Sequence, residues 1–448
     1  MAIENLVPPL AASDDSAARL NAKDTYRKIT IRLIPFLLVC YVISFLNRIN
    51  ISFAILSMKT ELGFTGSVYG LAAGAYAIGY VIFEVPSNLL LERVGARKTF
   101  LRIMVLWGLA SASLMFVRHP TEFYVIRFIL GCFEAGFFPG VVLYLTYWYP
   151  QGRRAGIVSW FFVGVAIAGL AGGLLSGLII QHMQGVFGLS GWQWMFVLEG
   201  IPASVLGIVA YFYLSDTPGQ VSWLSESEKT FIADELRQDS LEKRSNRKQE
   251  QSFLSTLVDW RFYLLSFVYF SAACGAFVIS FWLPTIIKGA GVKSIEEVSL
   301  YSAIPYGVGI IGIIGISKLS DRMGERRWHY CVCSLLGSFA IFAMTLKGLS
   351  LPELLMFASA AVFFGYGSLP VFWAETTSYL GRSAAAGGIA LISSIGMVGG
   401  FVSPLVIGVL NDRTGSLNSG IYLMECVFAI GGLLILLMPK LRMMTSHP

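Results

Sequence analysis

Residues 92–98 read Glu-Arg-Val-Gly-Ala-Arg-Lys, and residues 321–327 read Asp-Arg-Met-Gly-Glu-Arg-Arg. Acid, base, glycine and paired bases keep the same spacing in both copies. A second pair recurs at nearly the same offset: Gly169, Gly172, Gly173 and Ser176 match Gly396, Gly399, Gly400 and Ser403. Two such agreements are poorly explained by chance, so the chain reads as one unit used twice. Between the copies lies the only long polar stretch, residues 215–252, which carries a capping-box pattern at Ser225 and Glu228 and so predicts a short surface helix over 225–236.

The chain of 448 residues is 55% apolar and only 13% charged, far outside the soluble globular range. Windows long enough to cross a hydrocarbon core predict twelve spans, at 33–54, 68–91, 99–117, 122–149, 155–180, 194–214, 261–287, 300–319, 328–346, 353–379, 385–410 and 421–438. The expected fold is an all-α membrane protein of twelve transmembrane helices in two six-helix bundles. Its expected parts are a disordered cytoplasmic tail (1–28), an N-terminal six-helix domain (29–214), a central cytoplasmic loop (215–258) and a C-terminal six-helix domain (259–448). Duplicated halves related by an axis along the membrane normal are one way secondary transporters build alternating access around a site near the midplane.

The formal charge of +6 would suggest nucleic acid only if the cations shared one soluble face. They cluster instead in alternate loops, including Arg93, Arg97 and Lys98, Arg153 and Arg154, and Arg322, Arg326 and Arg327, as the positive-inside rule expects. Both termini are therefore expected in the cytoplasm. The six cysteines lie in or beside apolar spans and read as small core residues. Residues 1–28 lack the apolar segment of a cleavable signal, so the first span is expected to direct insertion.

Three charges sit inside apolar runs: Arg48, Arg127 and Glu134. A charge near the bilayer centre costs about 2.5–3.5 kcal/mol even on lenient scales, so such residues normally face a protein interior or a water-filled cavity. Arg127 and Glu134 are spaced to share one helical face, roughly 10 Å apart along the axis. They form either a substrate and proton site or a set of ion pairs that binds helices together. The loop motif has two readings as well. Glu92, Arg93, Gly95 and Arg97, with Asp321, Arg322, Gly324 and Arg326, could gate one end of the protein through arginines that hold neighbouring helix ends, or could serve orientation alone.

Almost the whole chain resembles the anion:cation symporter family of the major facilitator superfamily. The stretches that carry the likeness are GYVIFEVPSNLLLERVGARK, GWQWMFVLEGIPA, SFWLPTIIKG and AAAGGIALISSIGMVGGFVSP, which are similar to bacterial tartrate, aldonate, phthalate and hydroxyphenylacetate permeases. The resemblance implies proton-coupled uptake of an organic anion, with Arg48 and Arg127 binding a carboxylate, Glu134 carrying the proton and Tyr80 lining the cavity. Trp373, Ser393 and Ser394 are further candidates for the substrate site. Guanidinium forks suit carboxylates bidentately and stay charged at any relevant pH.

Three departures stand out. The family's Tyr-Leu-Asp-Arg reads Phe45-Leu46-Asn47-Arg48 here, and Asn47 cannot titrate. Where relatives tend to have Trp-Ala-Leu-Pro, this chain has Trp373-Ala374-Glu375-Thr376, which makes Glu375 a candidate for proton coupling. Met397 stands where relatives often carry an asparagine that meets polyhydroxylated substrates, which favours a less hydroxylated or aromatic carboxylate.

Other motifs carry less. Gly307 to Gly312 fits GxGxxG but lies in an apolar span with no preceding strand, and the sequon at Asn50 is at membrane depth. The four histidines form no paired ligand set, and Glu199 reads as structural. The expected protein is a multi-pass, monomeric importer in a bacterial inner membrane that needs no cofactor or metal and binds no nucleic acid. Its partners are an organic anion, protons and the lipid bilayer. The alternatives are an exporter or facilitator of neutral or cationic compounds, and a polytopic membrane enzyme or sensor.

Overall fold

The structure is a computed structural model that describes residues 12–247 and 259–439. Its first half holds α1 (Ala12–Ile49), α2 (Ile51–Glu61), α3 (Gly66–Val94), α4 (Ala96–Ser113), α5 (Pro120–Glu134), α6 (Phe137–Thr146), α7 (Gln151–His182) and α8 (Gly191–Tyr213). A connecting helix, α9 (Glu226–Arg247), leads to α10 (Trp260–Gly289), α11 (Ile295–Met323), α12 (Arg327–Met344), α13 (Leu351–Thr414) and α14 (Asn418–Leu434). No strand occurs among the described residues.

Among the described residues, eleven segments are long and apolar enough to cross a membrane, against twelve expected. The one missing is α12, in the place of the expected span 328–346: it is only 18 residues long and opens on Arg327-Trp328-His329-Tyr330, which dilutes its hydropathy. It nonetheless packs between α13 and α14 like a member of the bundle. The expected span 122–149 is broken into α5 and α6 at Ala135 and Gly136, where Gly136 takes φ 83°. Only glycine reaches that left-handed conformation without strain, and a side chain there would also run into Ser87 of α3.

Helical geometry continues through all of α13, yet it contains two spans, Leu351–Tyr379 and Leu391–Thr414. Tyr269 of α10 stacks on Phe372 and packs against Trp373, and its ring also lies against Gly396. On a straight helix Trp373 and Gly396 would be roughly 34 Å apart, so the run bends back sharply between the two spans.

The tail also differs from expectation. Helix α1 begins at Ala12, inside the segment expected to be disordered, and residues 1–11 lie outside the described part. Tyr26 explains the order of its later turns: it is buried, stacks on Tyr149 with ring centroids 5.6 Å apart, and donates to Glu235 of α9 at 2.5 Å. Two residues further, Lys28 pairs with Glu228 at 2.6 Å. That bond and the capping-box donors at Ser225 hold the Glu228 carboxyl below the usual range. The predicted surface helix is thus real but longer, and it is docked on the first half. The remainder of the central loop, 248–258, lies outside the described residues.

Two seams join the halves at the end of the bundle away from α9. Along one, Gly66, Gly70 and Gly74 of α3 face Asn411, Pro404 and Phe401 of α13. Along the other, Gly169, Gly173 and Gly177 of α7 face Tyr306, Ala303 and Ser299 of α11. Asp412 accepts from the backbone N–H groups of Gly66 and Ser67 at 3.0 and 2.8 Å, Ser299 accepts from Gly177 N–H at 2.9 Å, and Tyr69 donates to the Phe281 carbonyl at 2.7 Å. Gly169 and Gly173, two of the small residues that the repeat singles out in α7, therefore form a close contact between halves, whereas Gly172 and Ser176 face their own half. Ser299, which is 1% exposed, reports on that seam. In a cysteine-free background, a thiol-reactive probe is expected to label Ser299→Cys slowly, and to label it fast once Gly70→Leu wedges the other seam open; equal rates would show that the two seams move independently.

Candidate functional site

The site is built where α3 and α5 touch backbone to backbone. Gly79 lies against Phe128 and Cys132, and Gly131 lies against Tyr76, with no room for a Cβ at either glycine. This approach sets Tyr76 and Tyr80 of α3 beside Arg127 and Glu134 of α5. Helix α1 closes the third side with Ser44 and Arg48, which are one turn apart and so share a face.

The three charges that stand out in the sequence do come together. Arg48 is 9% exposed, and Arg127 and Glu134 are fully buried. An Arg48 Nη2 donates to Glu134 Oε1 at 3.0 Å, and the Ser44 hydroxyl donates to the same oxygen at 2.7 Å. Arg48 Nε donates to the Tyr76 hydroxyl at 2.9 Å, and its guanidinium lies 5.2 Å from the Tyr80 ring centre. Arg127 sits 4.8 Å over the Tyr76 ring, but its Nε, Nη1 and Nη2 have no hydrogen-bond partner in the protein, and neither has Glu134 Oε2. The unused guanidinium of Arg127 leaves this cluster rich in donors, suited to an anion with two or more acceptor oxygens.

The other expected site residues are spread further. Tyr80 belongs to the cluster. Trp373 packs against Tyr269, with ring centroids 4.8 Å apart, and Ser393 and Ser394 are half-buried on the second span of α13; no described bond ties these three to the arginines. Glu375 is buried with Oε1 unpartnered, but its charged neighbours are Arg326, Arg327 and Glu325, at the end of the bundle that carries α9. The loop motif folds as its glycines require: Gly95 and Gly324 have φ 92° and 62°. Arg97 donates through Nε to the Tyr211 carbonyl at 2.9 Å, and Arg326 through Nη1 to the Ala374 carbonyl at 2.6 Å. Both reach a neighbouring helix of their own half, so in this structure they brace each half internally. Glu92, Arg93, Asp321 and Arg322 flank those turns.

Sequence reasoning missed several participants. Tyr76 bridges both arginines, and Glu84, half-buried with Oε2 unpartnered, faces Tyr80 and Arg48 from the same helix. Both sit at helical spacing from Tyr80, which was the available signal. Asn47 turns away from the arginines. It donates to the carbonyls of Ile43 and Glu199 at 2.9 and 3.1 Å and accepts from the Ser111 hydroxyl at 2.6 Å. Glu199, read as structural, accepts from Asn50 at 3.0 Å and from Ser176 at 2.7 Å.

A two-part helical bundle with buried charges between its helices and glycine seams between its halves defines a polytopic transport protein. The chain matches the sequence profile of the Major Facilitator Superfamily over residues 37–404 and belongs to that family. It is 39% identical over 416 residues to a putative tartrate transporter of Agrobacterium vitis, covering 92% of this chain and 91% of that one. It is 40% identical over 411 residues to a quinolone resistance transporter of Acinetobacter baumannii, covering 91% and 93%. Among solved structures, the xylose transporter XylE of E. coli in a partially occluded inward-open conformation superposes with a TM-score of 0.73 at 14% identity, covering 92% of this chain and 98% of that one. The protein is thus a multi-pass membrane transporter and not an enzyme, and the likeness to anion:cation symporters agrees with these relatives. Their bacterial origin is consistent with a bacterial inner membrane.

The Asn47 geometry makes restoration of the family's aspartate unfavourable. Asn47→Asp would turn a carboxylate oxygen toward two backbone carbonyls, at a cost of about 1–3 kcal/mol. A lower thermal unfolding midpoint in detergent is the expected result; an unchanged midpoint would show that the amide is not the donor here.

Proposed function

We propose that this transporter imports an organic anion by proton symport, with Arg48 and Arg127 binding the substrate carboxylate and Glu134 carrying the proton. The observation that carries the reading is Arg127: a fully buried guanidinium whose three nitrogens have no hydrogen-bond partner in the protein. Leaving a buried charged donor unsatisfied costs several kcal/mol, and a bound carboxylate would recover that cost bidentately. The likeness to a protein named as a putative tartrate transporter supports the same substrate class.

In the proposed cycle, protonation of Glu134 releases Arg48 from its ion pair, so both arginines become available to the anion. Reionised Glu134 competes for Arg48 and helps to expel the substrate. Substrate and proton thereby exchange one partner, which couples their movements. The alternate loops rich in Lys and Arg support a cytoplasmic α9 end, with both termini on that side. The seams at the opposite end would then close the outer face and leave the site facing inward. Tyr80, Trp373, Ser393 and Ser394 line the path, Glu375 assists proton release near the cytoplasmic end, and the loop-motif residues gate that end. The protein acts as a monomer, each chain holding a complete site.

A second reading has one specific support, the likeness to a quinolone resistance transporter. It is export or facilitated passage of other compounds, with the arginines structural. Uptake of labelled mono- and dicarboxylates, tartrate among them, into proteoliposomes under separately imposed pH and voltage gradients separates the two. Carboxylate accumulation driven by inward proton flow is expected; no carboxylate transport would remove the main reading. Arg127→Gln is expected to lose about 2–5 kcal/mol of carboxylate binding in the same vesicles. Glu134→Gln should abolish proton-driven accumulation and spare exchange, whereas full accumulation would place the coupling proton elsewhere.

A further inference from the structure

The repeat extends into the bundle interior. Stepping from Ser176 to Ser403 by the spacing of the matched glycines also carries Asn47 to Cys274, Asn50 to Phe277 and Ser111 to Ser338, and one residue less carries Glu199 to Glu425. The fold confirms the equivalence. In the first half, Asn50 and Ser176 donate to the Glu199 carboxylate, Asn47 donates to its backbone carbonyl, and Ser111 donates to Asn47. In the second, Cys274 of α10 and Ser338 of α12 face Glu425 of α14, and Ser403 of α13 donates to the Cys274 carbonyl at 3.0 Å.

The two acids differ in what meets them. Each carboxylate oxygen of Glu199 accepts a hydrogen bond. Glu425 is 4% exposed and neither of its oxygens has a hydrogen-bond partner in the protein, because Phe277 stands at the Asn50 position and Ser403, at the Ser176 position, is turned to the Cys274 carbonyl. Phe428, one turn along α14, lies over Gly275 and Gly337. Among the described residues the groups that face it are the Cys274 thiol from α10 and the unpartnered Ser338 hydroxyl from α12. Ser403 of α13 is turned to the backbone, and no cation approaches. A carboxylate buried without a cation, and with a thiol and one hydroxyl as the groups that face it, is far less stable than its neutral acid.

We propose that Glu425 is a second proton-carrying site of this transporter, at the place in the C-terminal half that Glu199 occupies in the N-terminal half but without the asparagine and serine bonds that the Glu199 carboxylate accepts. Loading forms one O–H bond with a proton delivered by hydronium, and unloading breaks it and returns the proton to water; nothing is oxidised or reduced. The role in coupling rests on the proton-symport reading above, whereas the protonation itself does not.

Two measurements on the full chain in lipid keep these apart. Infrared spectra at neutral pH are expected to show a protonated-carboxyl carbonyl band that Glu425→Gln removes; persistence of every such band overturns the proposal, whether or not any substrate is transported. In proteoliposomes where the parent accumulates tartrate, Glu425→Gln is expected to lose accumulation driven by the pH gradient while tartrate counterflow continues. Undiminished accumulation overturns the role in coupling and leaves the symport reading intact, and no accumulation by the parent strikes the symport reading alone. Should Glu425→Gln fail to fold, Phe277→Asn returns the amide that Asn50 donates to the Glu199 carboxylate and is expected to shift titration of that band to lower pH. An unshifted titration would be fatal to the assignment.

Discussion

The ion pair between Arg48 and Glu134, 3.0 Å long and shielded from solvent, is the contact around which the first half is organised. Desolvating two guanidinium groups and a carboxylate is costly, and one pair offsets only part of the cost. The rest of the arrangement supplies what the pair does not. Ser44 donates a further bond to Glu134, Tyr76 accepts one from Arg48 and lends its ring to Arg127, and Gly79 and Gly131 bring the helices close enough for these contacts to form. Arg127 stays outside this compensation: it is fully buried, and its Nε, Nη1 and Nη2 have no hydrogen-bond partner in the protein.

A second constraint is geometric. The halves meet through two glycine seams that are counterparts under the repeat, α3 with α13 and α7 with α11. Contacts this close leave no intermediate separation with good packing, because backbones that part by even one side-chain width lose their dispersion contacts together. Such an interface is either shut or open, which is what rocking of two rigid bodies requires. Arg97 and Arg326 each tie two helices of their own half together.

Much of this was legible in the chain. The duplicated motif gave the two halves, hydropathy gave most spans, and the isolated charges marked the trio at the site. What escaped did so for physical reasons. The span at α12 is carried by its neighbours rather than by its own hydropathy, the left-handed turn at Gly136 looks like any glycine in an apolar run, and the bend within α13 has no proline at its centre. Order in α1 before Leu33 depends on Tyr26 and Lys28 meeting α9, a partner some two hundred residues away in sequence. At the site, Tyr76 and Glu84 carry no sequence mark beyond helical phase, and Glu425 becomes visible only when the repeat is followed through positions whose residue types have changed. Asn47 illustrates the opposite error: it lies next to Arg48 in sequence, but its side chain serves the helix packing behind the site.

Duplication fixed where the two interior acids stand without fixing what surrounds them. Around Glu199, four side chains depend on one another, so each is tolerable only while the others remain, and drift at any one is penalised. Around Glu425 the corresponding positions hold groups that make no such demands. The first half is therefore expected to evolve there as a block and the second position by position, so that new specificities can arise from the C-terminal copy while the N-terminal copy preserves the inheritance.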